Sequence, residues 1–290
     1  MRGKEVARPQ IRHMASLWTL AGYRGKNGEW RIDEKLKRIK KAGFDGFLGR
    51  VPPITREHLE RHGLLFAAHS DLSNPKEIVP RLKALKAVGV RCVNVQLLDH
   101  DTPTRAALPV ARRIMAAAEK LGMDLAIEVH RDTCTETPEK AYALAEAFER
   151  AEGRPLKMTW DFSHPAVIKH LAPPYWGRLA ERVDLIQLAQ QFHFRPFNGH
   201  HCQIPALGKG GRHTPEFLDW LEFADKVIET WLKAATPGRE MFVCPEQGPP
   251  PYALSVFPDR WKDVQAIRDA VDRIWQRHVK GWRPMGLKGV

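Results

Sequence analysis

The sequence predicts a single (β/α)8 barrel spanning residues 1–290, and three observations carry that prediction. Short apolar runs alternate with amphipathic segments along the chain. Eight such runs occur, the number that closes a parallel barrel. No G-x-G-x-x-G follows the first of them, which disfavours a doubly wound dinucleotide-binding sheet. The strand candidates are Leu17–Leu20, Gly46–Leu48, Leu64–Ala68, Cys92–Leu97, Leu125–Val129, Leu156–Trp160, Leu185–Leu188 and Met241–Cys244. Most are apolar throughout, as parallel strands covered on both faces should be. Residues 1–13 carry charges but no long apolar stretch or small-residue cleavage site. They read as a tail leading into the first strand.

The intervening segments have helical periodicity. Ile32, Leu36, Ile39 and Ala42 share one face before Gly43, and Ile78, Leu82, Leu85 and Val88 share another. Leu108, Ile114, Met115, Ala118 and Leu121 precede Gly122, a natural residue just past a helix end. Thr137-Pro138 supplies a cap and a first-turn proline for a helix running to Ala151. Phe217, Leu221, Ala224, Ile228 and Trp231 mark a further helix, and Val264, Ile267, Val271 and Ile274 mark the last. The longest irregular stretch, Gln191 to Pro215, is rich in His, Gly and Pro. It follows a strand, where barrels place functional loops.

Hydrophobic residues make up 43% of the chain, enough for the core of one large α/β domain. No apolar run approaches the roughly 18 residues of a membrane span, so a membrane is not an expected partner. Cys92, Cys134, Cys202 and Cys244 are scattered, which disfavours zinc ribbons and disulfide frameworks and makes a reducing cytoplasm the expected location. Cys92 and Cys244 sit in strand-like runs and read as small buried hydrophobes. The net charge of +12 favours anionic partners, whether phosphorylated sugars, carboxylates or nucleic acid. Basic residues such as Lys35, Lys37, Arg38, Lys40, Lys41, Arg112 and Arg113 are spread over helices, as on solvated faces. Nucleic acid is therefore the disfavoured partner, and a homo-oligomer is compatible with the sequence.

The informative pattern is where acids and histidines fall. The fifth strand ends in Glu128-Val129-His130-Arg131 and the sixth in Asp161-Phe162-Ser163-His164. The seventh leads into His193-Phe194-Arg195, and the eighth ends in Glu246. Strand ends of a barrel surround one axis, so these groups should converge on one cavity. Two glutamates, an aspartate and a histidine form a mixed oxygen and nitrogen shell suited to one divalent ion (Mn, Mg, Co or Zn). Buried carboxylates this close repel strongly unless a cation compensates them. His130 shares a strand face with Glu128 and could lie behind the ligands.

These residues resemble the ligand motifs of the xylose isomerase-like barrel superfamily. Its members include sugar epimerases and isomerases, inosose and dehydroshikimate dehydratases, and endonuclease IV. The resemblance runs from Leu17 to Ile274, and Pro205-Ala206-Leu207-Gly208-Lys209-Gly210 is similar to the turn after the seventh strand there. It implies Glu128, Asp161, His193 and Glu246 as metal ligands. His200, His201, Gln187 and Gln190 remain alternatives to His193, because Pro196–Cys202 is an insertion. It also implies His164 as a substrate or proton-transfer residue, with His69 and His100 facing substrate.

The implied function is manganese- or other divalent-metal-dependent isomerisation or epimerisation of a sugar, keto-sugar or polyol in carbohydrate metabolism, or a related dehydration or elimination. Glu128 or Glu246 would take the proton next to a polarised carbonyl, and the other carboxylate or His164 would return it. Trp18, Trp160 and Phe192 are candidates for stacking on a sugar, and Arg131 and Arg195 for holding a phosphate or carboxylate. The alternative is an endonuclease IV-like repair nuclease. It draws on His69, His100 and the charge, but Gln203-Ile204-Pro205 lacks two ligands that its trinuclear site needs.

Overall fold

Eight parallel strands close into a barrel in sequential order. They are β1 (Gln10–Ser16), β2 (Gly46–Gly49), β3 (Leu65–Asp71), β4 (Cys92–Gln96), β5 (Leu125–Val129), β6 (Met158–Trp160), β7 (Gln191–Phe194) and β8 (Glu240–Pro245). The computed structural model describes residues 6–26 and 28–284. Closure comes from β1, which pairs with β8 from Gln10 opposite Glu240 to His13 opposite Val243. Further along, β1 pairs with β2 from Met14 opposite Gly46 to Ser16 opposite Leu48. The chain is thus the (β/α)8 barrel that the alternation predicted.

The helices are α1 (Ile32–Lys41), α2 (Arg56–His62), α3 (Ile78–Val88), α4 (Thr104–Lys120), α5 (Pro138–Glu152), α6 (Ser163–Ile168), α7 (Trp176–Leu179), α8 (Val183–Leu188), α9 (Pro215–Lys233) and α10 (Arg260–Lys280). Several start where a side chain captures an otherwise unpaired amide. Thr137 accepts from Lys140 N at 3.3 Å, Thr214 from Phe217 N at 3.2 Å, and Asp259 from Lys262 N at 2.9 Å. Each such cap contributes about 1 kcal/mol.

Two strands lie elsewhere than their hydrophobicity suggests. Leu17–Leu20 is not a strand but a turn, with Thr19 N bonded to Ser16 O and Leu20 N to Leu17 O. The strand is Gln10–Ser16, so residues 10–13 belong to the barrel and not to a tail. Its polar residues disguised it: Arg12 lies at the barrel floor, paired with Glu240 at 2.6 Å. Leu185–Leu188 falls in α8, where Leu185 and Ile186 are buried. The seventh strand is Gln191–Phe194, whose Gln191 and His193 face a polar interior.

Strand alternation creates two apolar layers. Phe47, Ile127, Trp160, Phe192 and Val243 point outward and pack under helix residues such as Leu36, Ile114, Phe148, Trp231 and Ile274. Met14, Leu48, Ala67, Cys92, Phe242 and Cys244 point inward and form a separate plug inside the barrel. Beyond that plug the buried interior is polar, with Asn94, Glu128, Thr159, Asp161, His193 and Arg195. Gly46 shows how tight the wall is: a Cβ there would come within 2.3 Å of Leu65 O and 2.6 Å of the Met14 methyl. Gly46→Ala should therefore destabilise the fold by about 1–3 kcal/mol. Urea unfolding checks this, and an unchanged midpoint would refute the close approach.

Candidate metal centre and active site

The polar interior opens at the C-terminal ends of the strands into a cavity of about 480 Å³. Glu128, His193, Arg195 and Glu246 line it, together with His69, His130 and Trp18. Glu128, Asp161 and His193 each offer a ligand atom within 4.8 Å of the others. That spacing is close to twice a metal–oxygen bond of about 2.0–2.3 Å. Of the predicted ligands, these three converge directly. Glu246 joins them through Arg195, whose Nη2 lies 2.5 Å from Glu246 Oε2 and 3.1 Å from Asp161 Oδ2.

Each ligand candidate is held by neighbours. Glu128 Oε2 accepts from Asn94 Nδ2 at 2.7 Å, and Oε1 lies 2.8 Å from His193 Nδ1. Burial pushes the Glu128 carboxyl up, but the charges of His193 and His130 outweigh it and hold the group well below the usual carboxylate range. Burial likewise acts on Asp161, where Arg195 and His164 prevail and keep it ionised. Asp161 Oδ1 accepts from the amide and hydroxyl of Ser163 at 3.0 and 2.5 Å, whereas buried Oδ2 has no aligned hydrogen-bond donor. Burial pushes the His193 imidazolium down, and the charges of Glu128, Glu246 and Asp161 lift it to about 9.

These residues fit a divalent ion. Asp161 Oδ2 meets Arg195 at 3.1 Å and His164 at 3.3 Å without an aligned hydrogen bond, so its acceptor capacity is open to a divalent ion. The charges agree, because the carboxylates of Glu128, Asp161 and Glu246 exceed the single cation Arg195 by two. A neutral His193 with one divalent ion leaves the centre balanced.

The inner face of β7 supplies a further layer. The Gln191 amide lies 3.0 Å from His193 Nε2, and the other ring nitrogen, Nδ1, faces Glu128. Cys92 Sγ donates to Gln191 Oε1 at 3.4 Å. A divalent ion held by this ring would displace the Nδ1 proton and leave one on Nε2. The Gln191 amide can turn over to accept it, because a thiol can donate or accept.

The structure separates the other candidates. Trp18 lines the cavity, fixed edge-on to Tyr252 at 4.9 Å and seated on Gly248, where a Cβ would come within 2.1 Å of its ring. His69 lines it too, with Nδ1 3.3 Å from Asn94 Nδ2. Arg131 stacks over Tyr252 at the rim, 4.5 Å from the ring centre. His100 does not reach the site: it is exposed and paired with Asp132 at 2.7 Å. His164 sits beside the centre and is not among the residues that line the cavity. It is fully buried behind the cavity wall, 3.3 Å from Asp161 Oδ2 and against the His130 ring at 3.9 Å. Arg195 is not a free anion clamp, because its charge is spent on Asp161 and Glu246. Trp160 and Phe192 lie in the outer layer and cannot stack on a ligand. His200 and His201 cap an exposed turn at Asn198, Gln187 lies in α8, and the Gln190 carbonyl accepts from Phe242 N, so His193 is the histidine at the centre.

Sequence reading missed Asn94, Gln191, Arg50 and Tyr252. The first two follow from alternation, since they share strand faces with Gln96 and His193. Gln203 is a clamp and not a ligand, bonded both ways to the Gly248 backbone at 2.6 and 3.2 Å. With Gln203 so engaged and His100 outside the cavity, the three-metal arrangement of a repair nuclease is not assembled among the described residues.

Solved structures share this architecture. A xylose isomerase-like TIM barrel protein from Mycobacterium smegmatis, in complex with magnesium, superposes with a TM-score of 0.60 at 15% identity over 91% of this chain and 97% of its own. A D-tagatose 3-epimerase-like protein gives 0.59 at 14% identity, over 92% and 99%. A probable 3-dehydroshikimate dehydratase from Bacillus anthracis gives 0.56 at 14% identity, over 91% and 99%. No protein-family model matches the sequence, and no curated protein matches it. The chain therefore shares the (β/α)8 TIM-barrel fold of these structures. No helix among the described residues is long and apolar enough to cross a membrane.

If Gln191 sets the His193 tautomer, Gln191→Leu should weaken divalent-ion binding by about 10–100-fold without unfolding the barrel. Calorimetric titration with manganese measures this, and undiminished affinity would rule the relay out.

Proposed function

We propose that this protein is a divalent-metal-dependent isomerase or epimerase acting on a small sugar, keto-sugar or polyol. Dehydration is the related chemistry open to the same site. The observation that carries the reading is the convergence of Glu128, Asp161 and His193 on one point, with Glu246 beside them, at the C-terminal mouth. Epimerases and a dehydratase among the solved structures with this fold support it.

Glu128, Asp161 and His193 would hold the ion, with Glu246 completing the set. When bound, the ion would polarise a substrate carbonyl and acidify the neighbouring C–H. The donor set, three carboxylates and an imidazole, suits Mn, Mg, Co or Zn. Glu246 is the better base of the two glutamates. Its side chain is held only through Oε2, whereas both Glu128 oxygens are already engaged. Glu128 is then the carboxylate placed to return the proton from a different strand of the wall. Trp18 offers an apolar face to a ring, and His69 and Arg50 offer polar contacts to hydroxyls. The net charge of +12 agrees with an anionic substrate.

Two variants test the assignment. Asp161→Asn should strip most of the bound divalent ion while the far-ultraviolet circular dichroism spectrum stays unchanged. Glu246→Gln should lower exchange of a substrate α-proton with solvent deuterium by about 10²–10⁴-fold. Wild-type protein that takes up no divalent ion, and catalyses no exchange on any of a panel of keto-sugars and inososes, would overturn the reading.

A further inference from the structure

We propose that Arg195 is a resident counter-ion that competes with the metal for Asp161 and Glu246, and so sets how tightly the centre holds its ion. The inference rests on the reading of the site as a metal centre.

The geometry is specific. Arg195 is the first residue past β7, two on from His193, and is 3% exposed. A single nitrogen, Nη2, contacts both carboxylates, at 2.5 Å to Glu246 and 3.1 Å to Asp161. Nε and Nη1 are buried without a hydrogen-bond partner among the described residues. An arginine that serves packing normally satisfies its whole fork. This one is held by two charges alone, and the rest of its fork stays unpaired at a cost. Its guanidinium also sits beside the aromatic wall, 5.6 Å from the Trp18 ring centre and 5.0 Å from that of Tyr252.

Asp161 and Glu246 are also two of the four groups expected to take the ion. A guanidinium within hydrogen-bond reach of both stands close to a dication held by the same oxygens. At such separations repulsion is large even with an effective dielectric of about 20. Arg195 therefore does two opposed things. It neutralises enough buried negative charge for the barrel to fold without metal, and it lowers the affinity of the metal that arrives.

The test uses apo protein titrated calorimetrically with manganese chloride at fixed pH and ionic strength. Arg195→Met should bind manganese about tenfold or more tightly than wild type. Its apo form should melt lower and recover on manganese addition. Arg195→Lys keeps the charge and should stay within about threefold of wild type. Should the apo methionine variant not fold, purification with manganese followed by competition against a chelator gives the same comparison. Failure to fold even with manganese present would overturn the proposal. So would methionine binding no tighter than wild type, or lysine tightening as much as methionine. If wild-type protein takes up no manganese, the metal-centre reading itself fails, which is a distinguishable result.

Discussion

Three carboxylates are buried at one end of a barrel that excludes water, and the arrangement around them answers that constraint. Glu128, Asp161 and Glu246 are each less than a tenth exposed. Uncompensated, that density of negative charge would raise carboxyl pKa values or unfold the mouth. The protein supplies one fixed cation, Arg195, and one adjustable one, His193. Their combined charge still falls short of three while His193 is protonated, and further short when it is neutral. The deficit is the physical reason to expect a divalent ion, and it is a stronger argument than the presence of any single ligand type.

Parallel-strand geometry turns that constraint into a site. With side chains alternating in and out, each strand spends half of its residues on the outer helix-facing layer and half on the interior. The inner apolar plug of Met14, Phe242 and Cys244 forms a dry floor beneath the polar layer. At the opposite end an ion-pair cluster ties β1 to its neighbours, with Arg12 and Arg91 both on Glu240 at 2.6 and 2.7 Å. Stability is concentrated at the N-terminal face and chemistry at the C-terminal one, the usual division of labour in this architecture. The two can then vary independently.

Much of this was legible in the residues. β5 falls where its apolar run ends in Glu128, because Leu125, Ile127 and Val129 face outward and only one acid interrupts the interior row. Asp161 and Glu246 were legible for the same reason. β1 and β7 were not, because their inward faces carry Gln, Arg and His, and a polar inward row erases the hydrophobic signal that marks a strand. The apolar segments beside them, Leu17–Leu20 and Leu185–Leu188, drew the assignment instead and proved to be a turn and a short helix. His164 and His100 lie outside the cavity lining for another reason. Position after a strand says nothing about whether a side chain turns into the cavity, behind it or out to solvent.

The seventh strand also explains the long loop that follows it. Gln191, His193 and Arg195 point inward in succession, the first beside the His193 ring, the second on Glu128 and the third on Asp161 and Glu246. The loop begins directly after Arg195 and is fastened to the segment that follows β8 and to α10. Gln203 grips the Gly248 backbone, and Gln247 donates to the Ile204 carbonyl and to Asp263. Asp263, at the start of α10, accepts the Ala206 and Leu207 amides at 3.0 and 2.8 Å. Gln247 and Gly248 directly follow Glu246, so the anchoring of the loop and the placement of the proposed base depend on one another. A loop of that length can be tolerated here because it is pinned at both edges by buried polar groups, which converts an insertion into part of the wall.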